Sequence, residues 1–333
     1  MYILAIETSC DETSAAVLND GRIQSNIIAS QDEHIVYGGV VPELASRAHI
    51  AKIVSVVDTA LQKGDRKLDQ IELVAATYGP GLVGSLLVGL TFAKGIALSK
   101  SLPFYGINHL EGHLFSTGIE YPEIKLPYLC LLVSGGHTIL ALVKNVGEYE
   151  IIGQTIDDAA GEAFDKVAKI LGLPYPGGPA VEKLAKQGDP HFVKFPIARL
   201  KNSSLDFSFS GLKTAVLYQY RNLSSEEQEK HKADIAAAFQ KAVIAALSKN
   251  IEQALEQTGA NTLTMAGGVA QNKTLSAALH ELAVKHGCRF CAPRPEYCAD
   301  NAAMIGYVAH LFAEKGIPYS ELSLPAVPNL PLA

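Results

Sequence analysis

The sequence predicts an α/β protein made of two similar halves. Apolar strand patterns alternate with helical patterns along most of the 333 residues, which favours mixed sheets flanked by helices. Each half also contains a β-hairpin followed later by a strand, a glycine-rich turn and a helix. This repeated order indicates an internal duplication. The chain is long enough for two lobes that each bury a core.

A hairpin pattern begins each half. In the first half, apolar runs at 2–6 and 14–18 flank a connection of small, thiol and acidic residues. In the second half, apolar runs at 128–133 and 139–143 flank the sequence Ser-Gly-Gly-His-Thr. Short apolar runs bounded by turn residues are typical of strands.

The strand, turn and helix pattern also occurs twice. A strand at 73–77 leads through a turn at 79–85 into a helix ending near 97, and a strand at 263–266 leads through 267–272 into a helix ending near 285. Glycine turns lie at 79–84, 134–138, 177–178 and 267–268. One such turn alone is usually structural. Four at matching strand ends favour a nucleotide or other phosphate ligand in a cleft between the halves, although none forms a Walker A motif.

The predicted domains follow from this repeat. Residues 1–107 form a first lobe, on which a C-terminal helix at about 302–325 packs back. Residues 108–301 form a second lobe, including an insertion at about 151–225. Further helical patterns cover 41–62, 158–171, 180–186, 232–257 and 302–315.

Two histidines four residues apart form a candidate metal site. At this spacing His109 and His113 share one helix face and can reach a single ion. The pattern differs from the zinc-protease motif, because Glu111 lies roughly 200° around the helix from His109 and is misplaced as a general base. Two ordinary helix histidines remain an equal alternative at this stage.

Several acidic residues have competing interpretations. Asp158 is a candidate N-cap, whereas Asp165 lies a turn further on and is suited to ribose hydroxyls or to a solvated face. Glu182 follows a glycine turn, where ribose contact and helix N-terminal stabilisation compete. Asp300 is a candidate N-cap of the last helix. Spacing alone does not select it as a third metal ligand.

Composition narrows the class of protein. The net charge of −6 argues against a chain that holds nucleic acid by a broad basic face of its own. Five scattered cysteines indicate reduced thiols. The N-terminus lacks signal-peptide features, and no uninterrupted apolar run reaches the ~18 residues of a membrane span. A cytoplasmic protein is therefore expected.

Several long motifs together resemble the universal family of tRNA threonylcarbamoyladenosine transferases, in its bacterial branch, once labelled O-sialoglycoprotein endopeptidase. The likeness covers nearly the whole chain. Its motifs are AIETSCDET at 5–13, GGVVPELASR at 38–47, HLEGH at 109–113, LVSGGHT at 132–138, DDAAGEAFDK at 157–166, DFSFSGLKT at 206–214 and MAGGV at 265–269.

The resemblance implies an actin-like, sugar-kinase-like (ASKHA) fold of two duplicated lobes. It also implies transfer of a threonylcarbamoyl group from threonylcarbamoyl-AMP to N6 of the adenosine 3′ of the anticodon, position 37, in tRNAs that read codons beginning with A. The product is t6A. Implied partners are tRNA, an inactive paralogue (TsaB-like) bound through the first lobe and a small P-loop ATPase (TsaE-like).

The resemblance also implies roles for particular residues. His109, His113 and Asp300 would bind one divalent metal per chain, with iron and then zinc as candidates. Asp11 and Glu12 match acidic residues facing the reaction centre. The adenylate, or ATP, ADP or AMP in its place, would be held by Leu132, Val133, Ser134, Gly135, Gly136, Asp165, Gly178, Glu182 and Asn272.

Three other functions compete with this one. The first is a metal-dependent endopeptidase, the older label of the family, against which the position of Glu111 argues. The second is a non-catalytic actin-like nucleotide-binding protein. The third is an actin-like sugar kinase, for which no distinct sugar motif is present.

Overall fold

The computed structural model describes residues 1–31, 34, 39–198 and 205–332. Gly38, in one of the family-like motifs, lies outside the described residues. The chain divides into two compact units, Met1–Glu123 with Ala299–Ala333 (unit 1) and Ile124–Cys298 (unit 2). This division differs from the expected boundary at 107/108, because the helix that carries the two histidines belongs to unit 1.

Both units are α/β structures. The strands are β1 (Tyr2–Glu7), β2 (Thr13–Asn19), β3 (Arg22–Ala29), β4 (Leu73–Gly79), β5 (Phe104–Asn108), β6 (Tyr128–Val133), β7 (Thr138–Asn145), β8 (Glu148–Gln154), β9 (Thr262–Ala266) and β10 (Arg289–Cys291). The helices are α1 (Pro42–Lys63), α2 (Val83–Lys100), α3 (His109–Ser116), α4 (Ala160–Ile170), α5 (Gly177–Ala185), α6 (Ser210–Arg221), α7 (Ser225–Thr258), α8 (Lys273–Lys285), α9 (Pro295–Cys298) and α10 (Ala302–Glu314).

The two sheets have the same plan. Unit 1 has the order β3-β2-β1-β4-β5, and unit 2 has the order β8-β7-β6-β9-β10. In each sheet the first three strands pair antiparallel, and the last three pair parallel. The duplication predicted from the hairpin and the strand-turn-helix patterns is therefore present in the strand order.

Helices cover both faces of the unit 1 sheet. On one face, α1 and α2 bury apolar side chains such as Val57 and Leu90 against Leu4 of β1. On the other face, α10 contacts β1, β2 and α3. A Cβ added at Gly306 of α10 would lie 2.3 Å from a methyl of Leu18, so glycine lets this helix approach the sheet closely.

The C-terminal segment after α10 also packs on unit 1. The Ser320 hydroxyl accepts a hydrogen bond from the Gly106 amide at 3.0 Å, and the Ser320 amide donates to Phe104 O at 2.8 Å. Farther on, the Val327 amide donates to Tyr78 O at 2.8 Å. The segment therefore lies along β5, the edge strand of this sheet, and supplies partners for its exposed backbone.

Unit 2 is organised around the long helix α7. Its N-terminus is fixed by a capping box in which Ser224 accepts from the Glu227 amide, and Glu227 accepts from the Ser224 amide. This cap explains why the helix begins at 225 rather than at the predicted 232. Phe239 of α7 meets Phe164 of α4 edge-on with ring centroids 5.1 Å apart, in the core of the unit.

Two predicted helix caps are wrong. The N-cap of α4 is Ala159, and the side chain of Asp158 instead lies 2.6 Å from Lys166 Nζ. The N-cap of α10 is Asn301, whose side-chain oxygen accepts from the Met304 amide at 3.1 Å. Asp300 is therefore left free of a capping role. The predicted C-terminal helix at 302–325 ends at Glu314.

One helix, α2, is long and apolar enough to cross a membrane by length and composition alone. Ser85, Thr91 and Lys94 interrupt its apolar residues, so it contains no uninterrupted apolar run of membrane-spanning length. In unit 1 this helix contacts β4 and α1. It is thus one of the layers that cover the sheet.

Candidate functional site

The two histidines lie at the start of α3, directly after β5. The Asn108 side chain caps this helix by accepting from the Leu110 amide at 2.9 Å, and its amide group donates to Pro331 O at 2.8 Å. The rings of His109 and His113 have centroids 4.8 Å apart and planes at 89°. Both side chains are buried. The predicted shared helix face is therefore present.

Asp300 meets both rings. Its Oδ1 lies 3.0 Å from Nε2 of His113 and 3.5 Å from Nε2 of His109. One donor atom from each of the three residues lies within 4.8 Å of the other two. The carboxylate side chain is 24% exposed, whereas the rings are 8% or less exposed. Two nitrogen donors, one oxygen donor and a partly open side fit a divalent ion with room for another ligand.

The charges in this group support one another. Burial alone would raise the pKa of Asp300, but His109 and His113 outweigh it and hold that pKa well below its usual value. Burial would likewise lower the pKa of His109, but Asp300 and Glu7 outweigh it and raise that pKa well above its usual value. A proton on His109 therefore balances the neighbouring carboxylates of Asp300 and Glu7.

Glu7 is a member of this region that the sequence did not single out. It is the last residue of β1 and is fully buried. Its Oε2 lies 3.3 Å from Nδ1 of His109 and accepts from the Thr77 hydroxyl, while its Oε1 accepts from the Ser9 amide. Ser9 Oγ is also 3.1 Å from the same ring nitrogen. The sequence signals at Glu7 were its place at the end of an apolar strand and inside the family-like motif at 5–13.

Asp11 and Glu12 lie in the connection between β1 and β2, and both are half-buried. Burial raises the pKa of Glu12 to about 9, and the nearby charges of Asp300 and Asp11 add to the effect. His49 of α1 anchors the connection, since its Nε2 lies 2.9 Å from Cys10 O and its Nδ1 2.8 Å from the Thr13 hydroxyl. Burial and these charges thus favour the protonated form of the Glu12 carboxyl.

Glu111 is buried on α3 and lies close enough to Tyr78 of β4 to add to the burial that raises the pKa of that phenol. Within the described part of the chain, the candidate metal-binding group that includes the imidazoles consists of His109, His113 and Asp300, without Glu111. A second set of possible metal donors, Glu252, Glu256 and His286, lies on unit 2, where Lys285 already pairs with Glu252 at 2.6 Å.

The residues expected to hold an adenylate all belong to unit 2. Leu132 and Val133 are buried in β6, between β7 and β9. After them Ser134 is half-buried, and Gly135 and Gly136 are exposed. A Cβ at either glycine would meet no atom of the described chain within 4 Å. The turn between β6 and β7 therefore offers open backbone next to a rigid strand.

Asp165 and Gly178 meet at the start of α5. Oδ1 of Asp165 accepts from the Gly177 amide at 2.7 Å. Burial raises the pKa of Asp165, while its hydrogen bonds from the backbone of Gly177 and Gly178 act in the opposite direction. A ribose contact of Asp165 stays a prediction. The carboxylate is half-buried and already accepts from the backbone of α5. In the structure it caps a neighbouring helix.

Glu182 and Asn272 meet at the start of α8. Oε1 of Glu182 accepts from the Lys273 amide at 3.0 Å, and the Asn272 side chain accepts from the Leu275 amide at 2.9 Å. Asn272 also donates to Gln240 of α7 at 2.9 Å. Both side chains therefore stabilise a helix N-terminus, which is also a favourable place for an anion.

Contacts connect these segments. The Gly161 amide of α4 donates to Ser134 O at 3.2 Å, and a Cβ at Gly161 would lie 2.4 Å from that oxygen. At Gly267, where φ is +88°, a Cβ would lie 2.4 Å from Val133 O. Glycine is therefore needed at both close approaches. The structure brings the end of β6 and the β6–β7 turn together with the start of α4 and the glycine turn after β9.

Comparisons with known proteins identify the family. A family model described as TsaD, tRNA N6-adenosine threonylcarbamoyltransferase, matches residues 22–307. Curated relatives of the same name are 50% identical over 331 residues in Thermosipho africanus and 51% identical over 332 residues in Clostridium beijerinckii. These alignments cover 99% of this chain and 99% and 98% of the relatives. The chain belongs to this family.

Solved structures of other proteins are similar in fold to this member of the threonylcarbamoyltransferase family. HypF of T. kodakarensis has a TM-score of 0.64 at 13% identity, with 94% of this chain and 48% of that chain covered. Component A of the Acidaminococcus fermentans (R)-2-hydroxyglutaryl-CoA dehydratase has a TM-score of 0.55 at 16% identity, with 94% and 99% covered. The predicted actin-like, sugar-kinase-like fold of two duplicated lobes is confirmed.

Proposed function

We propose that this chain transfers the threonylcarbamoyl group from threonylcarbamoyl-AMP to N6 of adenosine 37 in tRNAs that read codons beginning with A. The observation that carries the proposal is identity of about one half, over nearly the full length, to relatives named for this transfer. The expected product is t6A, and the chain acts as an acyltransferase.

The reaction needs no nucleophile from the protein. The exocyclic amine of the adenosine attacks the carbamoyl carbon, the bond from that carbon to the phosphate oxygen breaks, and AMP leaves. One proton must depart from N6. Asp11 and Glu12 are the proposed acids facing the reaction. Because the pKa of Glu12 is raised, its carboxyl takes up that proton only after it has lost its own.

His109, His113 and Asp300 would hold one divalent ion per chain. Two imidazoles and a carboxylate suit Fe²⁺, the first candidate, and also Zn²⁺. A bound ion supplies Lewis-acid polarisation of a phosphate or carbamoyl oxygen. The distances of 3.0 and 3.5 Å from Asp300 to the two rings support this assignment.

The adenylate site would lie on unit 2. Gly135, Gly136 and Gly178 would present backbone to the nucleotide, next to the buried Leu132 and Val133 and the half-buried Ser134. Asp165, Glu182 and Asn272 would hold the adjoining helix N-termini in place. Their hydrogen bonds to Gly177, Lys273 and Leu275 support this division of roles.

The acidic net charge of −6 supports an assembly in which other chains help to grip tRNA. The proposed partners are an inactive TsaB-like paralogue, bound through the first lobe, and a TsaE-like P-loop ATPase. The proposed location is the cytoplasm.

Nucleoside analysis tests the proposal. Unmodified tRNA is incubated with this protein, the partners, threonine, bicarbonate and ATP, together with the enzyme that makes threonylcarbamoyl-AMP. The wild-type chain should yield t6A, and His113→Ala should yield about 100-fold less or none, the scale of losing an electrostatic stabiliser of the transition state. His280→Ala, at an exposed histidine of α8 outside the proposed site, serves as the matched control and should retain activity.

Failure of the wild type to form t6A, with partners proven active on another family member, would contradict the transfer. Adenine nucleotide binding without product would then support a non-catalytic actin-like protein, and sugar-dependent release of ADP would support a kinase. Casein cleavage by the metal-loaded chain, lost in His109→Ala, would support an endopeptidase.

A further inference from the structure

The buried carboxylate of Glu7 needs an explanation, because burying a charge is costly unless its oxygens are paired. Its side chain is 1% exposed. Oε1 accepts from the Ser9 amide, and Oε2 accepts from the Thr77 hydroxyl. These two bonds tie the end of β1 to its own turn and to β4. They leave the contact of Oε2 with His109 to be explained.

The contact between Glu7 and His109 involves Nδ1 of the imidazole and not Nε2. Nδ1 of His109 faces Glu7 Oε2 at 3.3 Å, whereas Nε2 faces Asp300 Oδ1 at 3.5 Å. An ionised carboxylate can only accept hydrogen bonds, so it favours a proton on Nδ1. A neutral imidazole protonated on Nδ1 carries its lone pair on Nε2. Nε2 is the nitrogen that points to the candidate metal position.

We propose that Glu7 is a positioning residue that fixes the ring orientation and tautomer of His109, so that Nε2 is presented to a divalent ion. The inference rests on the metal site of the proposed function. Carboxylate partners of metal-bound histidines act in this way in other proteins. His113 differs, because its Nδ1 is buried with no hydrogen-bond partner among the described residues. Glu7 thus orients one of the two imidazoles.

The variant Glu7→Gln reverses the hydrogen-bond preference with little change in shape. The Ser9 amide can only donate, so it selects the amide oxygen of the glutamine at the Oε1 position. The NH₂ group then takes the Oε2 position, facing Thr77 and Nδ1 of His109. This donor favours an unprotonated Nδ1 and a proton on Nε2, which blocks metal binding there.

Thr77→Val is the matched control. It removes the hydroxyl that donates to Glu7, which disturbs the same buried cluster, but it leaves the carboxylate facing Nδ1 of His109. A merely structural role of Glu7 predicts similar metal binding in the two variants. A positioning role predicts that only Glu7→Gln weakens it.

The measurement is Co²⁺ affinity of the full-length chain, by competition with a chromophoric chelator, together with the Co²⁺ absorption spectrum. Glu7→Gln should bind Co²⁺ about 10- to 100-fold more weakly than the wild type, the usual range for losing such a partner, with an altered spectrum. Thr77→Val should stay within about threefold. Equal affinities of Glu7→Gln and Thr77→Val, with both chains folded, overturn the inference and leave the metal site standing.

A second measurement needs no Glu7 variant. In the Zn²⁺-loaded wild type, long-range ¹H–¹⁵N correlations of His109, assigned by comparison with His109→Gln, should show a protonated Nδ1 and a metal-bound Nε2. Metal on Nδ1, or no proton there, overturns the inference. A wild type that takes up neither ion overturns both the inference and the metal role, whereas t6A formation is decided separately by nucleoside analysis.

Discussion

The two units use their carboxylates differently. In unit 1, Glu7 and Asp300 contact imidazoles. In unit 2, three acids instead accept hydrogen bonds from backbone amides where another helix begins. Asp157 accepts from Phe209 and Ser210 at the start of α6. Asp165 accepts from Gly177 of α5, and Glu182 accepts from Lys273 of α8. The sheets of the two units nevertheless share one strand order.

The two units therefore share a strand order but differ in the side chains that follow their first strands. After β1 the chain continues into buried or half-buried polar residues beside the imidazole pair, whereas after β6 it continues into exposed glycines. Charges buried next to imidazoles suit an ion, and open glycine backbone beside capped helices suits a phosphate. Substitutions in the two units should therefore affect different quantities.

The largest effect is expected at Asp300. Asp300→Asn keeps the shape but weakens the oxygen donor, so turnover should fall by about 100-fold or more, the scale of losing one electrostatic stabiliser. Steady-state t6A formation at saturating threonylcarbamoyl-AMP measures it. Asp58→Asn, an exposed position of α1, is the control. A fall in turnover of less than tenfold for Asp300→Asn would argue against an ion-binding role of the unit 1 carboxylates.

The next effect is expected at the turn after β6. Gly136→Ala adds a methyl group that meets no described protein atom within 4 Å, so the fold should tolerate it. If the nucleotide approaches this backbone, the KM for threonylcarbamoyl-AMP should rise about tenfold, equivalent to ~1.4 kcal/mol, with little change in kcat. Gly95→Ala on α2, where a Cβ also meets nothing within 4 Å, is the matched control. An unchanged KM would argue against the turn as part of the adenylate site.

A smaller effect, on stability, is expected at Asp165. Asp165→Ala removes the acceptor of the Gly177 amide, and loss of a helix cap typically costs about 1 kcal/mol. Denaturant unfolding should show this loss, and KM should rise only a few-fold through displacement of Gly178. Glu148→Ala, an exposed position of β8, is the control. A large rise in KM with unchanged stability would instead favour direct ribose contact.

The smallest expected effect is a change of the unfolding free energy with pH that is caused by Asp157. Burial would raise the pKa of Asp157, but hydrogen bonds from Ser208, Phe209 and Ser210 outweigh it and lower the pKa below the ordinary 3.8. These hydrogen bonds to the ionised Asp157 stabilise the folded chain. Their contribution to the unfolding free energy is fully present above the unfolded-state pKa and is lost as the pH falls through the lower, folded-state pKa. The side chain is largely exposed, so a discounted value of under ~1 kcal/mol is expected.

Unfolding free energies of the wild type and Asp157→Asn, measured between about pH 6 and pH 3, test this sign. The difference between the two chains should be largest at the upper end and should shrink toward the lower end. A difference that grows as the pH falls would contradict it.

Much of the secondary structure could be predicted from the pattern of apolar and turn residues along the sequence. Both hairpins and both strand-turn-helix segments are present, since each depends on residues that are close in sequence. The shorter strands β5 and β10, and the outer strands β3 and β8, were not predicted because their patterns are brief or polar. The start of α7 was misplaced because the capping box at Ser224 decided it. The start of α10 at 302 was correct, although its cap is Asn301 rather than Asp300.

The candidate site was predictable in part. The i, i+4 spacing places His109 and His113 on one face without any tertiary information. Asp300 is 187 residues from His113, and only the family resemblance selected it. Glu7 was missed because its contact with His109 spans 102 residues, and no local pattern encodes such a contact. Asp165 and Glu182 were noted, but their helix-capping partners are likewise set by the fold.

The composition of unit 1 from two separated pieces has a consequence for biosynthesis. Unit 2 is continuous from Ile124 to Cys298, so a ribosome completes it before Asp300 and α10 have been made. During that time the histidine helix lacks its carboxylate partner and the Pro331 carbonyl, so the donor group can close only after all of unit 2 has been made.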